Sequence, residues 1–188
     1  MKIVESVVNM GGLEIIIFLI GMPGAGKSTF GKKFSKLIKY DFIDTDFEIE
    51  KMEGNSVKHI FKEKGETYFR KLENALLKDI TKLDKKVVAT GGGLPIFLNN
   101  MDILNKEGIT IFLDVPLEEL LRRNEKNNDR PLLNKENKRD KLNRMYDDRI
   151  NVYNKCKIKV ENYNVSDFKL SYKILEEIRN KYHYIICK

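Results

Sequence analysis

A glycine-rich octapeptide at residues 21–28, GMPGAGKS, has the spacing of a phosphate-binding loop, G-x-x-x-x-G-K-S. Its glycines let successive backbone N–H groups turn inward and form a concave anion site at the start of a helix. Lys27 can then reach the β- and γ-phosphates of a nucleotide, and the hydroxyl of Ser28 can hold Mg²⁺. The motif predicts a site for a nucleoside triphosphate. An ordinary glycine turn with a surface lysine is the less favoured interpretation.

Two carboxylates, Asp44 and Asp46, follow a short apolar segment. In an extended segment, residues two apart point the same way, so both carboxylates would face the phosphate loop. One would hold a metal ion through water, and the other would orient or deprotonate an acceptor hydroxyl. The alternative is structural: Thr45 and Glu48 make a capping box, and Asp46 favours a helix N-terminus. The residues alone leave the two interpretations equally open.

Two arginines in stretches with helical periodicity could hold a substrate carboxylate. Arg70 and Glu73 are three residues apart, and such a pair alone favours a surface salt bridge. The functional alternative is that Glu73 steadies Arg70 for a bidentate contact with a carboxylate. Arg149 and Tyr153 share a helix face, which leaves Arg149 as a second clamp or as a surface residue. The apolar positions that predict the helix around Arg70, from Glu66 onward, are Phe69, Leu72, Leu76, Ile80 and Leu83.

Three consecutive glycines, Gly91, Gly92 and Gly93, follow the third apolar strand pattern. A run of glycines destabilises a fold unless another group must approach the backbone closely. The triplet therefore indicates a ligand that rests on these amides, while an ordinary glycine-rich loop remains the alternative.

A polar segment at residues 122–134, RRNEKNNDRPLLN, has little apolar face until its end. In a compact kinase such a segment predicts a mobile lid, and an arginine in it would close over the phosphates and exclude water. The alternative is a solvated loop with incidental arginines.

The elements that must position these residues alternate between apolar runs and amphipathic stretches. We expect strands at residues 14–20, 40–43, 86–90, 109–114 and 157–161, with helices between them. This alternation predicts a parallel α/β sheet with its site at the carboxyl ends of the strands. The helix after the phosphate loop has an apolar stripe at Phe30, Phe34, Leu37 and Ile38. The last helix is expected to pack on the sheet through Phe168, Leu170, Ile174, Leu175 and Ile178.

Length and composition indicate one globular unit with a real core. The chain has 188 residues, of which 41% are hydrophobic, and this is too short for two independent domains. Its net charge of +7 could suggest nucleic acid, but the 35 basic residues are interleaved with 28 acidic ones and Trp is absent. A basic cleft for small anionic substrates explains the excess at least as well, so we expect no nucleic-acid partner.

Cysteine usage and the N-terminal sequence indicate a reducing compartment. Cys156 and Cys187 are far apart, which indicates neither a disulfide framework nor a zinc site. Acidic residues interrupt the N-terminal apolar positions, and the run at residues 15–20 is too short to span a bilayer. We expect a cytoplasmic protein with no membrane partner, and either Met1 or Met10 would serve as its start.

In their types and order, these elements resemble the shikimate kinase family, from about residue 14 to residue 181. The phosphate loop alone indicates only a P-loop protein, whereas the whole series in this order is specific. The matching elements are the octapeptide, Asp44-x-Asp46, Phe69-Arg70-x-x-Glu73, the triplet at 91–93, Arg130-Pro131-Leu132-Leu133 and Arg149-x-x-x-Tyr153.

The resemblance implies an ATP- and Mg²⁺-dependent kinase that phosphorylates the 3-hydroxyl of shikimate in aromatic amino-acid biosynthesis. The implied ATP-binding residues are Gly24, Ala25, Gly26, Lys27, Ser28, Thr29, Arg123 and Arg130. The implied substrate-binding residues are Asp46, Arg70, Gly91, Gly92, Gly93 and Arg149. The implied metal ligands are Ser28 and, through water, Asp44, and the implied catalytic residues are Lys27, Asp46 and Arg130. Arg123 would stack on adenine, and Arg130 would close over the phosphates.

The resemblance also implies the architecture: a three-layer α/β P-loop kinase, similar to nucleoside monophosphate kinases, with a five-stranded parallel sheet flanked by helices. The whole chain, 1–188, would be a single kinase domain that works as a monomer. Its core would comprise residues 14–45, 84–121 and 138–184, with a helical shikimate-binding insertion at 46–83 and a lid at 122–137. Two rivals remain: a P-loop kinase of another small hydroxyl acceptor such as gluconate, and a P-loop ATPase that binds nucleic acid.

Overall fold

A computed structural model of the chain describes residues 15–126 and 135–186. Within these residues, five strands form one sheet in the order β2-β3-β1-β4-β5, and every neighbouring pair is parallel. The strands are β1 (Ile16–Ile20), β2 (Asp41–Asp44), β3 (Lys86–Ala89), β4 (Gly108–Asp114) and β5 (Ile158–Glu161). The predicted parallel sheet is confirmed, and each strand begins and ends within two residues of its predicted limits.

Helices follow the strands and cover the sheet. They are α1 (Lys27–Ile38), α2 (Thr45–Glu53), α3 (Val57–Ile80), α4 (Asn100–Glu107), α5 (Leu117–Lys126), α6 (Lys135–Tyr153) and α7 (Asp167–Ile186). Helix α1 packs on β2 and β3, α4 on β4, and α7 on β5. This arrangement confirms the predicted α/β class, a five-stranded parallel sheet flanked by helices. None of the helices in the described ranges is long and apolar enough to cross a membrane.

The central strand β1 explains where the core lies. All five of its residues are apolar and buried, as expected for a strand of a parallel sheet that helices cover. Helix α1 turns Phe30, Phe34 and Ile38 inward against the sheet, which confirms the stripe predicted there. Because β1 runs into the phosphate loop and α1 follows it, the buried core fixes both ends of that loop.

Helix α7 packs on the sheet largely as predicted. Leu170, Ile174, Leu175 and Ile178 are buried, but Phe168 is 65% exposed. The prediction for Phe168 is wrong because a position two residues before Leu170 is rotated by roughly 200° around an α-helix.

Helices α2 and α3 form a small unit beside the sheet with a core of its own, made by Ile49, Ile60 and Phe69. Helix α3 begins nine residues before the predicted helix around Arg70 and bends at Gly65, whose φ of 79° and ψ of 169° are not helical. It ends at Ile80, so Leu83 lies outside it and is 40% exposed. This unit falls within the segment 46–83, whose role in substrate binding stays a prediction.

Candidate active site

The loop between β1 and α1 adopts the conformation that its glycines predict. Gly24 and Gly26 have φ values of 86° and 88°, in the left-handed region that residues with a Cβ rarely adopt. Lys27, the first residue of α1, is only 9% exposed, and its Nζ donates to the carbonyl oxygens of Gly21 at 2.8 Å and Met22 at 3.0 Å. The loop therefore curls around the ammonium group and holds a positive charge at the N-terminus of α1, where anions are favoured.

Ser28 and Thr29 follow in the first turn of α1, and both are exposed. Among the described residues, no group of three or more His, Cys, Asp or Glu side chains could hold a metal ion. Mg²⁺ commonly takes one or two protein ligands and completes its shell with water and phosphate oxygens. A hydroxyl at Ser28 and a carboxylate at Asp44 are donors of the kind that Mg²⁺ prefers, and their role as ligands stays a prediction.

The structure corrects the interpretation of the segment after β2. Asp44 ends the strand and is the N-cap of α2, because its Oδ1 accepts from the N–H groups of Asp46 at 3.1 Å and Phe47 at 3.3 Å. The Thr45–Glu48 capping box is therefore wrong: the Thr45 hydroxyl accepts instead from the N–H of Gly91 at 2.7 Å. The argument that Asp44 and Asp46 share one side of a strand is wrong too, since Asp46 lies in the first helical turn.

The Thr45 hydrogen bond brings the start of α2 against the glycine triplet. A Cβ built on Gly91 would lie 2.5 Å from Oδ1 of Asp46 and 2.7 Å from Oε1 of Glu73. Real Cβ atoms do not approach oxygen so closely, so any larger residue at position 91 would displace these two carboxyl groups. Asp46 and Glu73, predicted from separate motifs, thus meet at one point of the backbone.

The other two glycines face the two arginines. A Cβ on Gly93 would overlap the guanidinium of Arg70, and one on Gly92 would lie 3.0 Å from Nη1 of Arg149. The ring of Pro23, from the phosphate loop, lies on the same side of Gly92, 3.2 Å from that Cβ position. The structure therefore brings the triplet, both predicted clamps and the phosphate loop together at one site.

The pair Arg70 and Glu73 is buried, so its interpretation as a surface salt bridge is wrong. The Glu73 side chain has no exposed surface and that of Arg70 is 12% exposed. Arg70 Nη1 donates to Glu73 Oε2, while Nε and Nη2 donate to Glu66 Oε1 at 3.2 and 2.9 Å. The pair is interior because this face of α3 lies against the glycine triplet. The sequence did not show which segment would cover that face.

Burial dominates the electrostatics of Glu73. Loss of water raises the pKa of this carboxyl to about 7, since the opposing effect of Arg70 and Arg149 is smaller and the charge of Asp46 adds to the rise. Within the described part of the chain, Oε1 of Glu73 is buried and has no hydrogen-bond partner. Perturbed, buried carboxyls of this kind are typical of functional sites.

Tyr153 holds the backbone of the triplet through a hydrogen bond. Its hydroxyl donates to the carbonyl oxygen of Gly92 at 2.6 Å, and its ring packs on Phe112 with centroids 5.2 Å apart. Arg149 lies one turn earlier on α6 and is close enough that its charge opposes the rise that burial causes in the pKa of Tyr153, which confirms that the two residues share a face. Sequence reasoning gave Tyr153 no role, although its spacing from Arg149 was the available signal.

Arg123 contacts the phosphate loop and the segment after β5. Its guanidinium donates to Glu119 Oε1 at 2.7 Å, to the carbonyl oxygen of Gly24 at 3.4 Å and to that of Asn162 at 3.1 Å. Hydrogen bonds from Arg122 and Arg123 hold the pKa of Glu119 down to about 2. Arg123 is thus fixed beside the predicted nucleotide site, and stacking on adenine stays a prediction.

The predicted lid is only partly described. Residues 122–126 belong to α5 and residues 135–137 to α6, so these parts of the segment are helical rather than loop. Residues 127–134 lie outside the described residues, and with them Arg130. The role of Arg130 over the phosphates stays a prediction.

A family model and several similar sequences point to the same family. The sequence model of the family described as shikimate kinase matches residues 23–179. A shikimate kinase from Clostridium botulinum (strain 657 / Type Ba4) is 51% identical over 150 residues, which cover 79% of this chain and 88% of that protein. One from Sulfurihydrogenibium sp. (strain YO3AOP1) is 40% identical over 165 residues, 88% of this chain and 96% of that protein.

A solved structure supports the same likeness. The shikimate kinase from Acinetobacter baumannii in complex with shikimate aligns with a TM-score of 0.84 and 33% sequence identity, covering 92% of this chain and 98% of that one. The residues matched by the family model include most of the phosphate loop, the glycine triplet and α6 with Arg149.

Proposed function

The chain belongs to the shikimate kinase family, and from that premise we propose that it transfers the γ-phosphate of ATP to the 3-hydroxyl of shikimate. The products are shikimate 3-phosphate and ADP, and the reaction belongs to chorismate and aromatic amino-acid biosynthesis. The observation that carries the proposal is the convergence of Arg70, Arg149 and Asp46 on the glycine triplet beside Pro23 of the phosphate loop. A phosphate donor bound at the phosphate loop and a carboxylate-bearing acceptor bound at the two arginines would then lie next to each other.

The acceptor side suits a small hydroxylated acid. Arg70 and Arg149 present guanidinium groups, which bind carboxylates through charge-assisted, bidentate hydrogen bonds. Asp46 presents a carboxylate, which accepts hydrogen bonds from hydroxyl groups and would orient the attacking one. Because the triplet carries no side chains, Asp46, Arg70 and Arg149 approach its backbone closely and can converge on one acceptor.

The donor side suits ATP. Phosphoryl transfer needs positioning and charge neutralisation more than covalent chemistry by the enzyme. The loop amides and Lys27 would hold the β- and γ-phosphates, with Thr29 beside them and Arg123 at the adenine. Mg²⁺, when bound, would neutralise charge on the same oxygens, and Ser28 and Asp44 would hold it. Arg130 would complete the neutralisation from the lid.

The proton and the phosphoryl group move between these two sides. The acceptor O–H bond breaks and its proton passes to Asp46, the new O–P bond forms, and the bond from the γ-phosphorus to the β-phosphate bridging oxygen breaks. Lys27 stabilises the negative charge that develops on the leaving ADP. Both arginines fix the register of the acceptor, so that one hydroxyl lies in line with the γ-phosphate.

Phosphate transfer from ATP to a panel of polyol acids tests the proposal. Mass spectrometry would detect phosphorylated acceptors, and phosphorus NMR would identify the phosphorylated position. We expect shikimate to be phosphorylated at its 3-hydroxyl and gluconate to be a poor acceptor. Indifference to shikimate would reject the proposal. ATP turnover stimulated by single-stranded nucleic acid, with a steep salt dependence of binding, would favour a nucleic-acid ATPase instead. We further propose, from the family resemblance, a monomer that works in the cytoplasm.

A further inference from the structure

Two asparagines hold backbone carbonyl groups on the outer side of the phosphate loop. Asn162, which follows β5, donates from Nδ2 to the carbonyl oxygen of Ala25 at 2.7 Å. Asn124, in α5, donates from Nδ2 to the carbonyl oxygens of Pro23 at 3.3 Å and Leu120 at 2.8 Å. No part of the phosphate-binding motif includes these residues, and they are 38 positions apart in sequence.

The two hydrogen bonds constrain which way the loop amides point. In a trans peptide, the C=O of one residue and the N–H of the next point in opposite directions within one plane. Holding the carbonyl of Ala25 outward therefore turns the N–H of Gly26 inward, and holding that of Pro23 does the same for Gly24. Both glycines have positive φ, which glycine adopts about as readily as negative φ, so the backbone alone does not fix the orientation of these peptides.

The asparagine side chains also pack closely against these glycines. A Cβ built on Gly24 would lie 2.9 Å from Nδ2 of Asn124, and one on Gly26 would lie 3.2 Å from Nδ2 of Asn162. Side-chain amide groups therefore lie against both glycines on this side of the loop.

Asn162 is itself tied to two other elements. Its N–H donates to the carbonyl oxygen of Asp114, the last residue of β4, at 2.8 Å. Its own carbonyl oxygen accepts from Nη2 of Arg123 at 3.1 Å. The side-chain amide that reaches Ala25 thus projects from a backbone that the sheet and α5 both hold, which makes it a rigid support.

We propose that Asn162, assisted by Asn124, is a positioning residue that orients the loop amides of Gly24 and Gly26 toward the phosphates of the nucleotide. The proposal rests on the proposed function only in that the loop receives a polyphosphate. A purely structural role would make both asparagines matter for folding and would affect every ligand alike. A role confined to the nucleobase side would weaken the binding of ADP but leave the binding of tripolyphosphate, which has no base, unchanged.

Calorimetric binding of ADP, inorganic tripolyphosphate and shikimate, each measured alone, separates these roles. Loss of one neutral hydrogen bond corresponds to a weakening of about two- to tenfold. We expect Asn162→Ala to raise the Kd of ADP and of tripolyphosphate by about that factor and to leave the Kd of shikimate unchanged. Asn124→Ala should have a smaller effect in the same direction, because its bond to the loop is longer.

Two further variants sharpen the test. Asn162→Asp keeps the shape of the side chain but sets a carboxylate oxygen against the carbonyl of Ala25, so it should bind tripolyphosphate more weakly than Asn162→Ala does. Asn105→Ala is the matched control, since Asn105 also donates from Nδ2 to a backbone carbonyl, that of Lys155 at 2.9 Å, but away from the loop. Its Kd for tripolyphosphate should equal that of the wild type.

Three outcomes would overturn this inference and leave the proposed function standing. The first is a tripolyphosphate Kd unchanged from the wild type in both Asn162 variants. The others are a shikimate Kd that rises together with the tripolyphosphate Kd, and a rise in the tripolyphosphate Kd of Asn105→Ala equal to that of Asn162→Ala. Unchanged tripolyphosphate affinity combined with weaker ADP binding would assign Asn162 to the nucleobase side and would also overturn it. If the wild type bound neither ADP nor tripolyphosphate, the proposed function would fail together with this inference.

Discussion

The guanidinium of Arg70 occupies the space in which a side chain on Gly93 would begin. The arginine comes from α3 and the glycine from the loop after β3, so two elements far apart in sequence fit together at the predicted acceptor site. A methyl group at the third glycine of the triplet would therefore require the guanidinium of Arg70 to move. This contact makes the position of Arg70 sensitive to the smallest possible substitution.

Gly93→Ala should displace Arg70 and lower kcat/KM for shikimate by on the order of 10²-fold, because misplacement of a positioning group by about 1 Å has effects of that size. Steady-state kinetics and a thermal melt would measure it. In an Arg70→Ala background the same change should have little further effect, since the guanidinium is already absent. A Gly93→Ala enzyme with wild-type kcat/KM would contradict the contact.

Arg149→Ala should chiefly raise the KM for shikimate, by about 10- to 100-fold, the range expected for loss of a hydrogen bond to a charged group. The KM for ATP should change little. Arg144→Ala is the matched control, because Arg144 lies on the same helix α6 and is exposed. An effect of Arg149→Ala confined to ATP would count against its role as a clamp.

Asp46→Asn should leave ATP binding nearly intact and lower kcat by about 10²- to 10⁴-fold, the usual contribution of a general base. The amide keeps the size of the side chain, so the contact with the Gly91 backbone should survive. Turnover and the Kd for ADP, measured on the same preparation, would separate chemistry from binding. Unaltered turnover would rule out the proposed role of Asp46.

Shikimate binding should weaken as the pH rises through about 7, where Glu73 loses its proton. The ionised carboxylate repels the carboxylate of the substrate, whereas the neutral acid does not, so the affinity is higher on the acid side. Calorimetry without nucleotide, between about pH 6 and 8, avoids the titration of the ATP phosphates.

The matched variant for this pH dependence is Glu73→Gln, which is neutral throughout. Its Kd for shikimate should vary much less with pH than that of the wild type. Equal pH dependence in the two proteins would assign the titration to another group.

The sheet, the phosphate loop and the residue types of the site follow from local patterns in the sequence. Strands of buried apolar residues and the spacing of glycines with Lys27 are local signals, and the structure confirms the elements they predict. The N-cap role of Asp44 was missed because Asp44 and Thr45 are both common N-cap residue types, and the sequence does not show which of them accepts from the first N–H groups of α2. Such boundaries depend on hydrogen bonds that the pattern does not reveal.

Contacts between distant segments account for the rest. The burial of Glu73 depends on what α3 packs against, and a salt bridge at helical spacing looks the same whether it is exposed or interior. Asn124 and Asn162 are ordinary polar residues in sequence, and their contact with the phosphate loop exists only in the folded chain. The hydrogen bond from Tyr153 to Gly92 is of the same kind.

Release of ADP, followed in a coupled assay with and without shikimate, tests the proposed transfer most directly. With ATP and Mg²⁺ alone the rate should be low, since the attacking hydroxyl that Asp46 orients is missing. Addition of shikimate should raise the rate strongly and in proportion to the shikimate 3-phosphate formed. Equal ADP release in the presence and absence of shikimate, or acceleration by gluconate but not by shikimate, would contradict the proposed function.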